Sequence, residues 1–422
     1  MREELLAYLW KTQKFRSSQL KTTSGDTLFV VKPGQENQYE GPDFFNAHIQ
    51  LNNTLWVGNV ELHIRSSDWF NHNHHLDNAY DNVVLHVVWQ DDVPIADTSQ
   101  QPMPTLCLAE YAPEDIIEKY TKWNSQSSKW TLCEDELHRL PEFVRKQFWE
   151  RLYVERLQEK TTLIQSWLAL SKNNWEAVFL ISLAKGFGLN YNGIAFSKMM
   201  LSIPWKVVLK SAENLENLEA LFMGQVGLFE LPIENNYFCK QAKIYTYLRN
   251  KHALSPISER VQFFRLRPSN FPTIRLAQLA WLLHKRPRLL SLVHKIKSIK
   301  DFDELFISKT SPFWEKHYHF RTPSNKRINR TSKSFNQLLL INTVFPFLFH
   351  YYSYKGDKRK DLVLDWMHQL PAEKNVYTSN FNNLGCPIDD ALESQACLQL
   401  KHNYCDSRRC LQCSFGHTLL NL

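Results

Sequence analysis

Residues 41–92 carry Asp43, Glu61, Asp68, Asp77 and Asp81 together with His48, His63, His72, His74, His75 and His86. A carboxylate that starts one strand and another that ends its neighbour can share one divalent cation. Hard ions such as Mg2+ or Mn2+ take oxygen from one or two carboxylates and complete their shell with water and substrate phosphate. Imidazole adds a neutral nitrogen donor or, near pH 7, a proton acceptor. A competing reading of the same stretch is a zinc site made from His72, His74 or His75 with Asp68. The plain alternative is a set of turn and surface histidines, with His86 hydrogen-bonded inside a strand.

A second group of chemically competent residues lies at the other end of the chain, where five of the eight cysteines fall within residues 386–422. Cys405-x4-Cys410-x2-Cys413 closes two short loops around one point, as a tetrahedral thiolate site requires. The fourth ligand is Cys397, Cys386, His402 or His417, among which the sequence does not choose. Arg408 and Arg409 offset the charge of several thiolates. Zn2+ is the default metal, four soft thiolates also suit an iron–sulfur cluster, and the role is structural. Three small buried thiols in a terminal helix are the metal-free reading.

Third, RLRPSNFPTIRLAQLAWLLHKRPR sets Arg265, Arg267 and Arg275 beside Phe271 and Trp281, and RTPSNKRINRTSK contributes Lys326, Arg327 and Arg330 with no acidic residue among them. Guanidinium groups suit phosphate and aromatic rings stack on bases, so both stretches are candidate nucleic-acid contacts. Solvated surface charge, and ion pairing of Arg265 and Arg275 with acidic residues, are the competing explanations.

The elements that must hold these residues follow from periodicity. Met1–Lys14 is a short amphipathic helix through Leu5, Leu6, Leu9 and Trp10. The period then becomes two, and Thr27–Val31, Phe44–Leu51, Leu55–Ile64 and Asn82–Trp89 read as strands. Val83–Val88 is apolar on both faces, which predicts a central strand. A two-residue Asn52-Asn53 turn pairs 44 with 61 and points Glu61 and His63 the same way. In that register Asp43 falls on the opposite face and reaches Glu61 only if the chain bends at Gly41-Pro42. From about Glu114 helices dominate, including Pro141–Leu170 and Trp175–Gly186, with Gly186-Phe187-Gly188 as a helix stop.

Asp43 followed by Glu61-Leu62-His63 on the next strand resembles the PD-(D/E)XK nuclease pattern, with His63 where Lys is usual. The resemblance implies that Asp43 and Glu61 are metal ligands and that His63 orients or activates the attacking water, with Glu40, Gln35 and Asn37 as supporting polar groups. A neutral imidazole can accept a proton but brings no fixed positive charge. Some nucleases of that superfamily staple their termini with a cysteine-bound iron–sulfur cluster. The phrases GPDFFNAHI, GNVELHIRSSDWFNH, AYDNVVLHVV, RLRPSNFPTIRLAQLA and YCDSRRCLQC resemble, in order and along nearly the whole chain, a bacterial family described as a domain of unknown function.

Composition bounds the rest. With 422 residues, 43% hydrophobic and 22% charged, the chain is long enough for two to four domains at the usual ~100–200 residues each, and collagen, coiled coil and wholesale disorder are out. No stretch reaches the roughly 18 apolar residues of a membrane span, and the N-terminus lacks the features of a signal peptide. The cysteine distribution fits a reducing compartment, so a cytoplasmic location is expected. Met1–Cys133 holds 10 Lys+Arg against 17 Asp+Glu, and Glu134–Leu422 holds 40 against 26. An acidic head that binds cations and a basic body that grips a polyanion account for this asymmetry.

The expected fold is therefore α+β: a mixed α/β, nuclease-like domain over 1–113, a larger all-α domain over 114–384 and a Cys-rich metal-binding tail over 385–422. The expected function is metal-dependent phosphodiester hydrolysis on DNA or RNA. A non-catalytic nucleic-acid-binding or assembly protein on a nuclease-like scaffold, and a zinc hydrolase of a small substrate using the histidine cluster, are the alternatives.

Overall fold

A computed structural model describes residues 1–96, 101–126, 128–321, 323–325 and 329–422. It is α+β, with all seven strands in the first quarter of the chain and helices thereafter among the described residues. The described chain forms two compact units. The first comprises Met1–Phe148, Asn383–Cys386 and Leu400–Leu422, and the second Trp149–Asn382 and Pro387–Gln399. These units depart from the boundaries at 113 and 384 read from the sequence. The last 38 residues are shared between the units, and the part carrying Cys405, Cys410 and Cys413 folds with the N-terminal sheet.

In the first unit, helix α1 (Glu3–Thr12) precedes strands β1 (Leu20–Lys21), β2 (Thr27–Lys32), β3 (Gln35–Glu36), β4 (Phe44–Leu51) and β5 (Thr54–Arg65). A short helix, α2 (Asp68–Asn71), and two single-turn 3-10 helices then lead to β6 (Val83–Gln90) and β7 (Thr105–Cys107), followed by helix α3 (Glu114–Ser125). The sheet order is β1-β2-β4-β5-β6-β7, with β3 added to β4. β2, β4 and β5 run antiparallel, while β6 and β7 lie parallel to β5. Parallel pairing needs a crossover between β5 and β6, and the histidine-rich stretch 66–82 is that crossover.

Burial explains the order. β5 is covered on both faces from Gly58 to His63, and β6 is buried at Val83, Leu85, His86, Val87 and Val88, as two-sided apolar strands at the centre of a sheet should be. α1 packs on β5 through Leu5, Leu6, Leu9 and Trp10, each at most 1% exposed. Burying four such side chains is worth about 1.5–3 kcal/mol apiece, enough to fix the helix against the strand that carries Glu61 and His63.

One irregularity decides how the site is built. Near the Asn52-Asn53 turn the β4–β5 register is the expected one, with Leu51 opposite Thr54 and Ala47 opposite Gly58. Beyond Ala47 it slips by one, so that Phe44 faces Val60 instead of Glu61. The extra residue belongs to a bulge in β4, where Asn46 adopts the left-handed conformation at φ 54° and its amide donates to Asn59 Oδ1 at 3.4 Å. Because side chains alternate, a one-residue slip turns the start of β4 over. Asp43 thereby joins the face of Glu61 and His63. The bend expected at Gly41-Pro42 is made here.

The second unit is helical. Helix α4 (Glu142–Leu170) begins in the first unit and continues into the second, and helix α5 (Trp175–Ser202) follows it. The expected stop at Gly186–Gly188 is a kink instead: Leu189 is non-helical at φ 54°, and the helix resumes beyond it. A Cβ at Gly188 would lie 2.7 Å from the Gly193 amide nitrogen, so glycine permits the tight packing across this kink. Among the described residues no helix is long and apolar enough to cross a membrane.

Candidate metal centre

Asp43 and Glu61 are tied to each other's strands. The Asp43 amide donates to Glu61 Oε2 at 3.1 Å, and the Leu62 amide donates to Asp43 Oδ2 at 3.0 Å. The loop before Asp43 is held by Asn37, whose side-chain amide donates to the carbonyls of Tyr39, Glu40 and Pro42 and whose backbone amide donates to the Asp43 carbonyl. Asn37 thus holds the loop that leads into Asp43.

Three imidazoles close on the same point. His74 Nε2 lies 3.2 Å and His63 Nε2 3.6 Å from Glu61 Oε1, and His63 Nε2 lies 3.1 Å from His72 Nδ1. His63, His72 and His74 each offer a ligand atom within 4.8 Å of the others. His63 Nδ1 is 2.8 Å from His86 Nε2, on the adjacent parallel strand. When that Nδ1–H donates to His86, the Nε2 lone pair of His63 is left facing His72, His74 and Glu61, which is how a second imidazole fixes the tautomer of a metal ligand.

The crossover is shaped to deliver His72 and His74. Ser66 Oγ donates to Asp92 Oδ1 and the Val93 carbonyl, and Asp68 Oδ2 accepts the Arg65 amide, pinning the exit from β5. Trp69, Tyr80, Val83, Ile95 and Met103 form a small apolar cluster beneath the loop. His74 stacks on Tyr80 at 3.8 Å between centroids and meets Trp69 edge-on at 5.4 Å. Asp68 therefore serves the loop through a backbone hydrogen bond, and His75 packs against Phe70 outside the three-imidazole group.

Burial dominates the electrostatics of the site. Burial first, and then the neighbouring Glu61, push Asp43 well above the usual carboxylate range. Burial raises Glu61 as well, and the Glu3 carboxylate adds to that. In the other direction, burial and then His74 and His72 hold His63 down to about 3, while burial lowers His74 and drives His86 far below the ordinary imidazole range. Two carboxyls that resist ionising beside three imidazoles are a donor set that a divalent cation would satisfy. Mixed nitrogen and oxygen donors suit Mn2+ or Zn2+ better than Mg2+ alone. His72 is exposed, so the centre opens to solvent on that side.

Glu3 is a residue that sequence reasoning missed. It stands on α1, raises both Asp43 and Glu61, and is itself influenced by His72 and His74. The available signal was an acidic first turn on a helix whose apolar face had to pack on the sheet.

The nominated arginines separate. Arg275 is 7% exposed, bonds Gln278 Oε1 and Asn270 Oδ1 and lies 3.5 Å over the Phe335 ring, so it is a core residue and not a nucleic-acid contact. Its helix, Pro272–Lys285, is buried nearly all round, and burial lowers the guanidinium to about 10. Arg265, Arg267 and Arg330 are exposed. Lys326 and Arg327 lie outside the described residues.

Cys397 is likewise reassigned. It is buried in the helix Ala391–Gln399 of the second unit, where its thiol donates to the Ser394 carbonyl at 3.1 Å. Cys405, Cys410 and Cys413 belong to the first unit, and there Cys133 is their neighbour: Cys405 is within electrostatic reach of Cys133, Cys410 and Cys413, and Cys133 within reach of Cys410 and Cys413.

Fold and site together define an α+β protein with a carboxylate–imidazole centre on a mixed sheet. The chain belongs to the family described as "Protein of unknown function (DUF2851)", whose model matches residues 3–376. No curated protein and no solved structure matches the chain.

Proposed function

We propose that the protein is a divalent-metal-dependent nuclease that hydrolyses phosphodiester bonds of DNA or RNA. The observation that carries this reading is the convergence of His63, His72 and His74 beside Glu61, with Asp43 tied to Glu61 through its backbone amide. The order of elements supports it: a helix, a three-stranded antiparallel meander with the first carboxylate at the head of its second strand, a crossover, and a parallel strand beside the one bearing Glu61-x-His63. This order is compatible with the PD-(D/E)XK resemblance. The net positive charge of residues 134–422, with Arg265, Arg267 and Arg330 exposed, supports a polyanionic substrate.

A divalent ion held there would supply Lewis acidity toward a phosphoryl oxygen and toward the attacking water. Asp43 and Glu61 contribute the negative charge that retains the ion, and the imidazoles contribute neutral nitrogen donors. His63 is a ligand in this scheme and not the base, because it is 1% exposed, both its nitrogens face other imidazoles, and its pKa is far below neutrality. Glu3, exposed on α1 and within electrostatic reach of His72 and His74, is the candidate acceptor for the proton of the attacking water. A second reading, a zinc hydrolase of a small substrate, is favoured specifically by the three converging imidazoles.

The test is cleavage of single- and double-stranded DNA and RNA with Mg2+, Mn2+ or Zn2+, comparing wild type with Asp43→Asn and Glu61→Gln. Metal-dependent cleavage by wild type alone supports the nuclease. Hydrolysis of a small phosphodiester without cleavage of any nucleic acid favours the second reading, and equal activity in all three proteins removes both.

A further inference from the structure

We propose that a cavity in the second unit, walled by aromatic rings and rimmed by arginines, binds a nucleobase that carries a phosphate. The occupant is a free nucleoside monophosphate or one residue of a single strand, which present the same chemistry. The cavity measures about 800 Å³, inside the ~300–1,000 Å³ range of small-molecule sites, and all of its lining residues belong to the second unit. Binding there requires no metal at the head centre.

Three stretches build the walls. Leu228 and Ile233 follow the helix Leu215–Gln225, Phe263 and Phe271 precede the helix Pro272–Lys285, and Phe320 comes from beyond it. Phe263 meets Phe271 edge-on with centroids 5.3 Å apart, and Phe229 tilts against Phe320 at 5.8 Å. Hydrogen bonds fix the third stretch: the Asn235 side-chain amide donates to the Phe320 carbonyl at 3.2 Å, and the hydroxyl of the fully buried Thr273 donates to the Tyr318 carbonyl. Phe263 and Phe271 stay half-buried, so their ring surface is offered to an occupant. A flat heteroaromatic base gains from ring faces and edges what a flexible acyl chain does not.

The rim supplies the charge. Arg260 and Arg321 are exposed residues of the lining, and Arg265 and Arg267 are exposed on the segment that joins Arg260 to Phe271. Among the described lining residues Glu230 is the one carboxylate, and it pairs with Arg260 at 2.5 Å, so the lining as a whole favours an anion. Both partners of that pair are exposed, which makes it weak and lets the guanidinium exchange the carboxylate for a phosphate. Gly227, at φ 79°, makes room for the pair: a Cβ there would lie 2.7 Å from Arg260 Nη1 and 2.8 Å from Glu230 Oε1. His319 also lines the cavity. Its Nδ1 accepts the Arg321 amide at 3.1 Å, which leaves the hydrogen of the neutral ring on Nε2 as a donor to a base or phosphate oxygen. Arg265 lies over the exposed Phe264 ring at 5.2 Å, a cation on an aromatic face next in sequence to the wall residue Phe263.

The experiment is isothermal titration calorimetry on the full chain in EDTA, with AMP, GMP, CMP and UMP, the matching nucleosides, a short single-stranded oligonucleotide of mixed sequence and palmitate as probes. Chelation prevents metal-dependent cleavage and keeps this outcome separate from that of the head centre. At least one monophosphate should bind more tightly than its nucleoside, and Phe263→Ala and Arg321→Ala should each weaken it about tenfold. Binding of the oligonucleotide but of no monophosphate, with the same losses in both variants, supports the site and assigns it to a residue of a strand. Palmitate binding without nucleotide binding overturns the ligand class, and nucleotide binding that neither variant weakens overturns the site. No binding of any probe overturns the proposal altogether. Arg321 is exposed, so Arg321→Ala decides even where Phe263→Ala fails to fold.

Discussion

The two polar centres of the first unit differ in how their residues are gathered. Asp43, Glu61, His63, His72 and His74 lie within one hairpin and the crossover that leaves it, whereas Cys133 comes within electrostatic reach of Cys405, Cys410 and Cys413 from across most of the chain. The head centre mixes carboxylates with imidazoles and opens to solvent at His72, as a site for exchangeable ligands does. The tail group is all thiol, with Cys133 and Cys413 buried and helices packed on it. One element touches both: α1 packs on β5 and on the Cys410–Gln412 turn, and it carries Glu3.

If the head centre is catalytic and the tail centre structural, substitutions should divide accordingly. The largest effect is expected at Glu61. Glu61→Gln removes a cation ligand while preserving shape, and metal-dependent cleavage should fall by at least about 100-fold with little change in secondary structure by circular dichroism. Cys133→Ser should do the reverse, lowering the melting temperature while leaving metal uptake at the head unchanged. A Cys133→Ser protein with unchanged stability would erase the contrast between the two centres.

Next in size is His86→Ala, which withdraws the partner of His63 Nδ1 and should weaken metal affinity at the head by roughly 10–100-fold, measured by titration. The bulge gives a smaller effect. Asn46→Ala forces a residue with a Cβ and no compensating side-chain polarity into the left-handed region, at a cost of about 1–2 kcal/mol, while Asn46→Gly should be nearly neutral; thermal denaturation distinguishes them. Since the bulge aims Asp43 at Glu61, metal affinity should fall in step with stability.

The smallest effect concerns pH. Asp43 and Glu61 have raised pKa values in the folded metal-free protein, so their contribution to stability is present below the ordinary carboxyl range and is lost as pH rises toward the folded values. Relative to wild type, metal-free Glu61→Gln should therefore gain stability as pH is raised from acid to mildly alkaline. Added Mn2+ should remove this difference by stabilising wild type alone.

What could be read from the sequence follows the same divide. The strands, the Asn52-Asn53 turn and the shared face of Glu61 and His63 were legible because they depend on local pattern. The approach of Asp43 was not, because it depends on one asparagine taking the left-handed conformation, a choice that Asn46 shares with every other asparagine in the hairpin. The grouping of His72 and His74 with His63 depends on two 3-10 turns and on Trp69 and Tyr80, which leave no periodic signature. Cys133 has no neighbouring cysteine to betray it, whereas Cys397, close in sequence to the other three, is turned into the core of its own helix. Arg275 was misjudged because its helix is buried nearly all round, so the usual polar face is absent.

The central claim is that Asp43 and Glu61, with the three imidazoles, hold a divalent ion. Mn2+ titration followed by electron paramagnetic resonance tests it directly, because manganese prefers these oxygen and nitrogen donors to the thiols of the tail. Wild type should take up one equivalent, and a folded Asp43→Asn/Glu61→Gln double variant none. Equal uptake by the two proteins, or no uptake by wild type, would contradict the account.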